Sequence, residues 1–190
     1  VIDHDTAKAG KLLDEAGWTM GPNGIREKDG QPLRLTLPII GDSPTTANLA
    51  RGLQAMMKSL GVDIAIAQKP SSDFSKVTTN REFDLFFIGF QSSDPYGMAY
   101  LCQTWCKGSQ LNRTGAGSAE LDAKIKAVAS IPDPKAQIAA GNKVEREAFG
   151  QFSDLPLFNG PTMLAVKKGL ANYGAGQFYI GPVEDIGWQK

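Results

Sequence analysis

The sequence predicts an α/β fold in which parallel strand-helix-strand units are flanked by helices. Apolar residues alternate along 33–39 and 62–66, which is the period of a half-buried strand, and helical periodicity lies between the two stretches. A predicted short helix at 71–80 precedes a continuous apolar run at 84–89, which is typical of a strand buried on both faces. Strands that alternate with helices favour parallel pairs and right-handed crossovers.

The first predicted elements are a helix and a surface flap. Asp3 or Asp5 can cap a helix, because both precede a stretch whose apolar residues share one helical face. Gly17 stands where that helix is expected to end. The pairs Asn23-Gly24 and Asp29-Gly30 favour turns with positive φ, so the stretch between them is expected to be a short extended piece of a flap.

The strand-helix-strand unit follows directly. Pro38 has no N–H to donate, which places it near the edge of a sheet or at the end of the strand 33–39. Ser43, followed by a proline, is a start signal for the next helix, and Gly61 is its expected end. The strand 62–66 begins at once after it, so we expect the two strands to pair in parallel.

The second half of the chain is predicted to be more helical. Residues 89–117 show neither helical nor strand periodicity and are expected to form a long irregular loop, of the kind that usually carries function. Helices are expected to begin at Ser118 and at Asp133. The stretches 155–158 and 163–166 are predicted to be short extended segments.

Composition and motifs exclude several functions. The 190 residues carry 20 basic and 20 acidic side chains, so the net charge is zero and neither nucleic acid nor an anionic membrane is an expected partner. The only histidine, His4, is distant from both cysteines, so no metal site is expected. The chain has no phosphate-binding glycine motif, and its paired carboxylates lie on predicted solvent faces of helices. We therefore expect no cofactor and no enzymatic activity.

The two cysteines, Cys102 and Cys106, lie four residues apart within the long predicted loop. This spacing suits a small disulfide bond in an oxidising compartment. It suits two free thiols equally well, so the sequence leaves both states open.

The candidate ligand site follows the apolar run. In open α/β sheets ligands bind outside the carboxyl ends of the strands, and aromatic and polar residues follow this predicted strand end. Phe90 or Tyr96 would form an apolar platform. Gln91 and Ser93 would supply hydrogen-bonding groups, and Asp94 a counter-charge for a cationic ligand group. Two alternatives remain open, since Asp94 precedes a proline as turn-forming aspartates do, and Phe90 can equally be a core side chain.

Five segments occur in a consistent order. They are DTAKAGKLLDEAGW (Asp5–Trp18), NGIREKDGQPLRLTL (Asn23–Leu37), LQAMMKSLGVDI (Leu53–Ile64), FDLFFIGF (Phe83–Phe90) and AELDAKI (Ala119–Ile125). This order resembles the C-terminal lobe of the family 5 extracellular solute-binding proteins, the peptide- and nickel-type receptors of bacterial ABC importers. The resemblance covers about Asp5 to Val166.

The resemblance implies one lobe of a type II periplasmic-binding-protein fold with a mixed sheet. Residues 1–168 would form the C-terminal α/β lobe, and 169–190 a tail that returns toward a missing N-terminal lobe of the same chain. The full-length protein would be a lipid-anchored monomer outside the cytoplasmic membrane. It would close two lobes on a small solute, expected to be a peptide, and deliver it to ABC permease subunits. The chain has no initiator Met and no signal-peptide pattern, so we expect any targeting segment to have been removed or never to have been part of this sequence.

Several positions depart from the family pattern. Peptide-binding members carry a tryptophan where this chain has Phe90, and their ammonium-binding aspartate falls on Ser93 or, with a one-residue shift, on Asp94. Asn112 and Gly115 match a turn before the next helix. Two functions follow as hypotheses: an importer receptor for oligopeptides or a similar solute, and a cell-envelope regulatory or interaction lipoprotein that reuses the fold without transport.

Overall fold

The structure is a computed structural model that describes residues 4–90, 94, 96–160, 163–174 and 181–189. The chain divides into two compact units, a first unit Val1–Gly89 and a second unit Phe90–Lys190. The predicted division into a lobe, 1–168, and a tail, 169–190, stays a prediction.

The first unit begins with helix α1, Thr6–Glu15, and a small antiparallel sheet. The Asp5 carboxylate accepts the Lys8 backbone N–H at 2.8 Å, so the predicted helix and its cap are confirmed. Strands β1 (Thr19–Met20), β2 (Arg26–Lys28) and β3 (Gln31–Pro32) pair as an antiparallel meander. This meander is the predicted flap.

The strand-helix-strand unit comprises β4 (Arg34–Ile40), α2 (Pro44–Lys58) and β5 (Asp63–Lys69). The strands are parallel and in register from Arg34 opposite Asp63 to Ile40 opposite Lys69, which confirms the prediction. Both strands bury apolar residues beneath α2, and the buried cluster comprises Leu37, Ile39, Ala50 and Ile64. Burial of these side chains is the main stabilising contribution to this layer.

Pro38 lies within β4, and its nitrogen faces the edge of that strand that does not pair with β5. The sequence predicted a position near a sheet edge or at the strand end. N–H groups alternate between the two sides of a strand, so the Pro38 nitrogen faces the same side as the Thr36 N–H. That N–H points away from β5 and donates to the Asp84 carboxylate at 2.6 Å. The hydrogen bonds between β4 and β5 therefore need no backbone N–H from Pro38.

The apolar run at 84–89 was predicted to be a strand buried on both faces, and this prediction is wrong. The backbone of the run bonds to the β4 edge only at its start, where the N–H groups of Asp84 and Leu85 both donate to the Thr36 carbonyl. The side chains of Leu85 and Phe87 pack against the buried cluster of the strand-helix-strand unit. The Asp84 side chain takes the ladder position that a backbone carbonyl would fill, so regular pairing ends there. Ile88 is consequently exposed rather than buried.

The predicted helix at 71–80 is a 3₁₀ turn, Ser71–Asp73, that continues into α3, Phe74–Asn80. The helix ends at Arg81, which has a left-handed backbone with φ of 54°. The ring of Phe86, from the apolar run, packs against Phe83 and Phe74 with centroids 5.2 and 6.2 Å apart. The apolar run is therefore held in part by contacts between side chains, whereas a strand would pair through its backbone.

The second unit is built on three helices: α4 (Met98–Trp105), α5 (Ala119–Ala129) and α6 (Pro134–Phe149). Ser118 and Asp133 cap α5 and α6 through bonds of 3.1 and 2.8 Å, as predicted. All three helices contribute to one core, whose buried residues are Leu101, Trp105, Cys106, Leu121, Ile125, Val128, Val144 and Ala148.

Helix α4 corrects the prediction that 89–117 is one irregular loop. Met98, Leu101 and Trp105 are spaced i, i+3 and i+7, which is a helical face, and two of the three are fully buried. The helix has only eight residues and starts at Gly97, which is left-handed with φ of 72°. So short a helical pattern is hard to recognise in the sequence, because polar and aromatic residues surround it.

The C-terminal part of the second unit has little regular structure. Residues 155–160 and 163–168 are in neither helix nor strand, so the extended segments predicted there are not strands in this structure. Strand β6, Leu170–Ala171, pairs antiparallel with β7, Gly187–Trp188, and a 3₁₀ turn at Val183–Asp185 precedes β7. The tail thus closes a small two-stranded sheet of its own.

Among the described residues, no helix has the length and apolar character needed to cross a membrane.

Candidate functional site

The predicted ligand-binding residues lie immediately before α4. Phe90, Asp94 and Tyr96 are described, and Tyr96 is half exposed. Gln91 and Ser93 lie outside the described residues, so their predicted hydrogen-bonding roles stay predictions.

The Asp94 carboxylate organises the start of α4. Its Oδ1 accepts the N–H groups of Tyr96 and Met98, both at 3.0 Å, and its Oδ2 accepts the Ala99 N–H at 2.8 Å. The first N–H groups of a helix have no partner within it, and their partial positive charge favours a carboxylate. Asp94 therefore has the turn-forming role considered for it, and its counter-charge role toward a ligand stays a prediction.

Phe90 begins a row of aromatic side chains. Its ring meets Tyr100 edge-on at 5.5 Å, Tyr100 meets Trp105 at 5.5 Å, and Trp105 meets Phe149 at 5.0 Å. Edge-to-face pairs of this kind add to the stabilisation that burial provides. Phe90 thus packs toward the core while staying only partly buried, and Tyr100 joins the candidate site because α4 turns it toward Phe90.

Burial raises the pKa of the Tyr100 phenol above its usual value of 10.0, and the negative charges of Asp154 and Glu145 raise it further. The Thr104 hydroxyl lowers this pKa; its effect is smaller than that of burial but larger than that of either carboxylate. The phenol therefore remains a neutral hydrogen-bonding group at physiological pH.

This shift predicts alkaline destabilisation. The folded state holds the Tyr100 proton more tightly than the unfolded state, so its contribution is complete below about pH 10 and is lost as the pH rises further. Replacing Tyr100 with phenylalanine should flatten the fall in unfolding free energy from about pH 10 upward. Urea titrations across that range measure it. The exposed Tyr173→Phe is the control, and an equal flattening in both variants would contradict the assignment.

A hydrogen-bonded pair anchors Trp105 at the far end of the row. The indole Nε1–H donates to the Ser153 hydroxyl at 3.3 Å, and that hydroxyl donates to the Asp154 carboxylate at 2.8 Å. A buried indole N–H normally finds such a partner, because leaving it unpaired would destabilise the fold. The chain after α6 is thereby held against α4.

Cys102 and Cys106 are joined by a disulfide bond in the structure, with their Cα atoms 4.6 Å apart. The bond spans the last turn of α4 and the residue after it.

The loop after the disulfide is held by Asn112, whose side-chain amide donates to the carbonyls of Cys106 and Ala116 at 3.3 and 2.7 Å. Its Oδ1 accepts the Gly115 N–H at 2.8 Å, so Asn112 and Gly115 form the turn that the family pattern implies.

Gly117 lets this loop approach α4 closely. Its φ is +111°, and a Cβ at this position would lie 2.1 Å from the Trp105 carbonyl oxygen. A side chain here would force the two segments apart.

The structure shows no grouping of three or more His, Cys, Asp or Glu side chains suited to a metal ion within the described ranges. His4 lies just before α1 and is exposed. The described part of the candidate site is aromatic and polar, with one carboxylate at a helix start.

Residues 1–112 match the model of a protein family described as bacterial extracellular solute-binding proteins, family 5 Middle. This chain belongs to that family. The match includes the flap, the strand-helix-strand unit, the apolar run and α4, which are the elements that surround the candidate site in sequence.

Curated relatives carry binding-protein names. The chain is 28% identical to the oligopeptide-binding protein OppA of Mycobacterium tuberculosis over 92% of its own length and 29% of the relative's. It is 40% identical to the nickel-binding periplasmic protein of Escherichia coli over 44% of its own length and 16% of the relative's. The chain therefore spans less than a third of the length of these relatives.

Solved structures confirm the predicted α/β fold of the periplasmic-binding-protein type. NikA of Brucella suis, solved with Fe(III)-EDTA, has a TM-score of 0.66 at 28% identity, covering 78% of this chain and 30% of that one. The oligopeptide-binding protein AppA of Bacillus subtilis, solved with a nonapeptide, has a TM-score of 0.66 at 24% identity over the same shares. The second comparison supports the fold alone.

Proposed function

We propose that this chain is one lobe of the substrate-binding component of an ABC importer. The component would work outside the cytoplasmic membrane, anchored by lipid, and would close two lobes around an oligopeptide or a similar small solute before delivering it to permease subunits. Family membership carries the proposal, because the matched family and the relatives are named for solute binding.

The chemistry of the candidate site agrees with a peptide-like solute. The half-exposed ring of Tyr96 and the partly buried ring of Phe90 offer apolar contact area, and Tyr100 adds a neutral phenol beside Phe90. Ligand pockets typically combine such aromatic walls with a few polar groups that set orientation. A single lobe would bind weakly, since closure of the second lobe supplies the remaining contacts.

The experiment that tests the proposal is mass spectrometry of small molecules released by denaturing the full-length protein, purified from its own host. Short peptides would support the importer function. An empty protein, or a bound envelope lipid or glycan, would contradict it and favour the regulatory or interaction lipoprotein.

Asp94→Asn separates the two roles of Asp94. The substitution removes the charge and keeps Oδ1, which can accept the N–H groups of Tyr96 and Met98, but it puts an NH2 donor where Oδ2 accepts the Ala99 N–H. If Asp94 meets a ligand ammonium, affinity for a free-amine peptide should fall roughly 10-fold or more, while affinity for its N-acetylated form should not change. Isothermal titration of the full-length protein measures both.

Asp133→Asn is the control, because the Asp133 carboxylate also accepts a backbone N–H at a helix start, through a bond of 2.8 Å to the Ala136 N–H. It should leave both affinities unchanged. Equal losses for the free and acetylated peptides in Asp94→Asn would leave Asp94 with its structural role only.

A further inference from the structure

The end of α4 is closed twice between the same two residues. The Cys106 N–H donates to the Cys102 carbonyl at 3.0 Å, and the disulfide bond joins the two side chains across the same helical turn. The cysteines are only four positions apart. A disulfide constrains the unfolded chain less when the loop that it closes is shorter. We therefore expect this bond to act mainly on the end of α4, and less on the stability of the whole second unit.

Helix α4 depends on groups outside it at both ends. Isolated helices shorter than about 12–15 residues are marginal in water, and α4 has eight residues. Its start is held by the Asp94 carboxylate. Its end has neither a basic residue in the last turn nor a left-handed cap residue, because Cys106 is extended with φ of −67° and ψ of 132°. The disulfide therefore fixes a helix end that lacks these caps.

The loop 107–117 is attached to that helix end by hydrogen bonds. The Cys106 carbonyl accepts the Ser109 N–H at 3.0 Å and the Asn112 side-chain amide at 3.3 Å. The Ser109 hydroxyl donates to the Gln103 carbonyl at 2.7 Å. The order of the loop therefore depends on the orientation of Cys106, which the disulfide fixes.

The two ends of the loop are held independently of the cysteines. The Lys107 N–H donates to the Asp122 carboxylate at 3.3 Å, and the Gly117 N–H donates to the Gln151 side-chain carbonyl at 2.9 Å. Asp122 belongs to α5, and Gln151 follows α6. Release of the helix end should therefore loosen residues 108–116 and leave the ends of the loop in place.

The two cysteines differ in access. Cys106 is 5% exposed and belongs to the buried core, whereas Cys102 is only partly buried. A thiolate must reach the sulfur that it attacks, so Cys102 is the point of entry for a reductant. A free cysteine packs as a small apolar side chain, so Cys106 can stay in the core after reduction. The helical core can therefore survive the loss of this bond.

Reduction by a dithiol proceeds through thiol–disulfide exchange. The thiolate of the reductant bonds to the Cys102 Sγ, the bond between the cysteines breaks, and its electron pair goes to the Cys106 Sγ, which takes up a proton. The second thiolate of the reductant then attacks the mixed disulfide and releases Cys102, which also takes up a proton. Two electrons pass to the cysteines, and the reductant leaves as a disulfide.

We propose that the Cys102–Cys106 bond is a redox-sensitive disulfide that controls the order of residues 108–116. The oxidised form holds the last turn of α4 and this stretch in place. Reduction by a protein dithiol releases both, while α5, α6 and the buried core stay folded. This inference goes beyond the proposed function. Only its effect on the candidate site rests on that function, because α4 carries Tyr100 against Phe90.

Hydrogen exchange of the full-length protein with and without dithiothreitol tests this control. Differential alkylation with mass spectrometry first measures the redox state of the two cysteines in the native protein. On reduction the amides of Ser109, Asn112 and Gly115, which are hydrogen-bonded in the oxidised structure, should exchange roughly 10-fold faster or more. Amides of α5 and α6 should not change.

Four outcomes would overturn the inference. They are cysteines that are thiols before any reductant is added, a bond that is reduced only after unfolding, unchanged exchange at 108–116, and an equal acceleration throughout the second unit. The last of these would make the disulfide a staple of the whole unit, without a local role.

The double variant Cys102→Ser, Cys106→Ala reproduces the reduced state without a reductant. Alanine keeps the buried position apolar, and serine suits the partly exposed one. Its amides at 108–116 should exchange as fast as those of the reduced protein and should not respond to dithiothreitol. Exchange at the slow rate of the oxidised protein would contradict the role given to the bond.

Ser130→Ala is the control for a loss at another helix end. The Ser130 hydroxyl donates to the Lys126 carbonyl at 3.1 Å at the end of α5. This substitution should leave exchange at 108–116 slow and should keep the response to dithiothreitol. Faster exchange at 108–116 equal to that of the double variant would contradict a specific effect of the disulfide.

The outcomes separate this inference from the proposed function. Residues 108–116 that loosen on reduction, in a protein that releases no solute, would support the redox-sensitive disulfide and contradict transport. Released peptides from a protein in which reduction leaves 108–116 unchanged would do the reverse.

Discussion

Replacing Trp105 with alanine is expected to lower the free energy of unfolding of the second unit by about 3–5 kcal/mol. The side chain is fully buried at the centre of the helical core and contacts the rings of Tyr100 and Phe149. Its removal would leave a cavity and would also leave the Ser153 hydroxyl without its indole donor. Since a domain is stable by only about 5–15 kcal/mol, the loss should be visible as a large shift of the urea midpoint.

Trp188→Ala is the matched control. This tryptophan lies in β7, is largely exposed and has the Lys167 ammonium 5.5 Å from its ring centroid. Losing that exposed contact should lower the unfolding free energy by less than about 1 kcal/mol. Similar losses for both tryptophans would show that Trp105 is not the centre of the core.

Replacing Arg26 with methionine is expected to destabilise the first unit by about 3 kcal/mol. The buried guanidinium donates to the Leu60 carbonyl at 2.8 Å and to the Trp18 carbonyl at 2.5 Å. It also pairs with Asp14 at 2.5 Å, which ties α1, the flap and the end of α2 together. Methionine keeps much of the packing but supplies no donor. Most of the loss therefore comes from the two carbonyls, because Asp14 is more than half exposed and stays solvated.

Arg34→Met provides the comparison for this loss. Arg34 pairs with Asp63 at 3.1 Å, and its side chain is largely exposed to water. Surface pairs of this kind contribute between about 0 and 1 kcal/mol, so the urea midpoint should barely move. Trp18 fluorescence can report on the unfolding of both variants, since the Trp18 carbonyl accepts a hydrogen bond from Arg26. A loss for Arg34→Met as large as that for Arg26→Met would contradict the role given to burial.

Elements with clear start and stop signals could be predicted from the sequence. Asp5, Ser43, Ser118 and Asp133 each cap the helix expected of them. Capping is a local interaction between a side chain and the backbone two or three residues later, so it needs no knowledge of distant contacts. The alternation along 33–39 and 62–66 likewise predicted the two strands, and the helical periodicity between them predicted their parallel pairing.

Elements that depend on distant partners were predicted less well. The apolar run at 84–89 has the composition of a buried strand, but the Asp84 side chain takes the Thr36 N–H and ends the pairing. Helix α4 was missed because eight residues carry too little periodicity. Its start depends on Asp94, whose carboxylate reaches three backbone N–H groups across a turn.

The sequence by itself determined the α/β class, the caps, the parallel unit and the family to which the chain belongs, because these follow from local propensity, periodicity and motif order. Only the tertiary structure decided that Asp94 supports α4, that Phe90 packs on Tyr100, and that the cysteines are joined. Each of these features depends on which groups come into contact in the folded chain. Local sequence patterns do not specify those contacts.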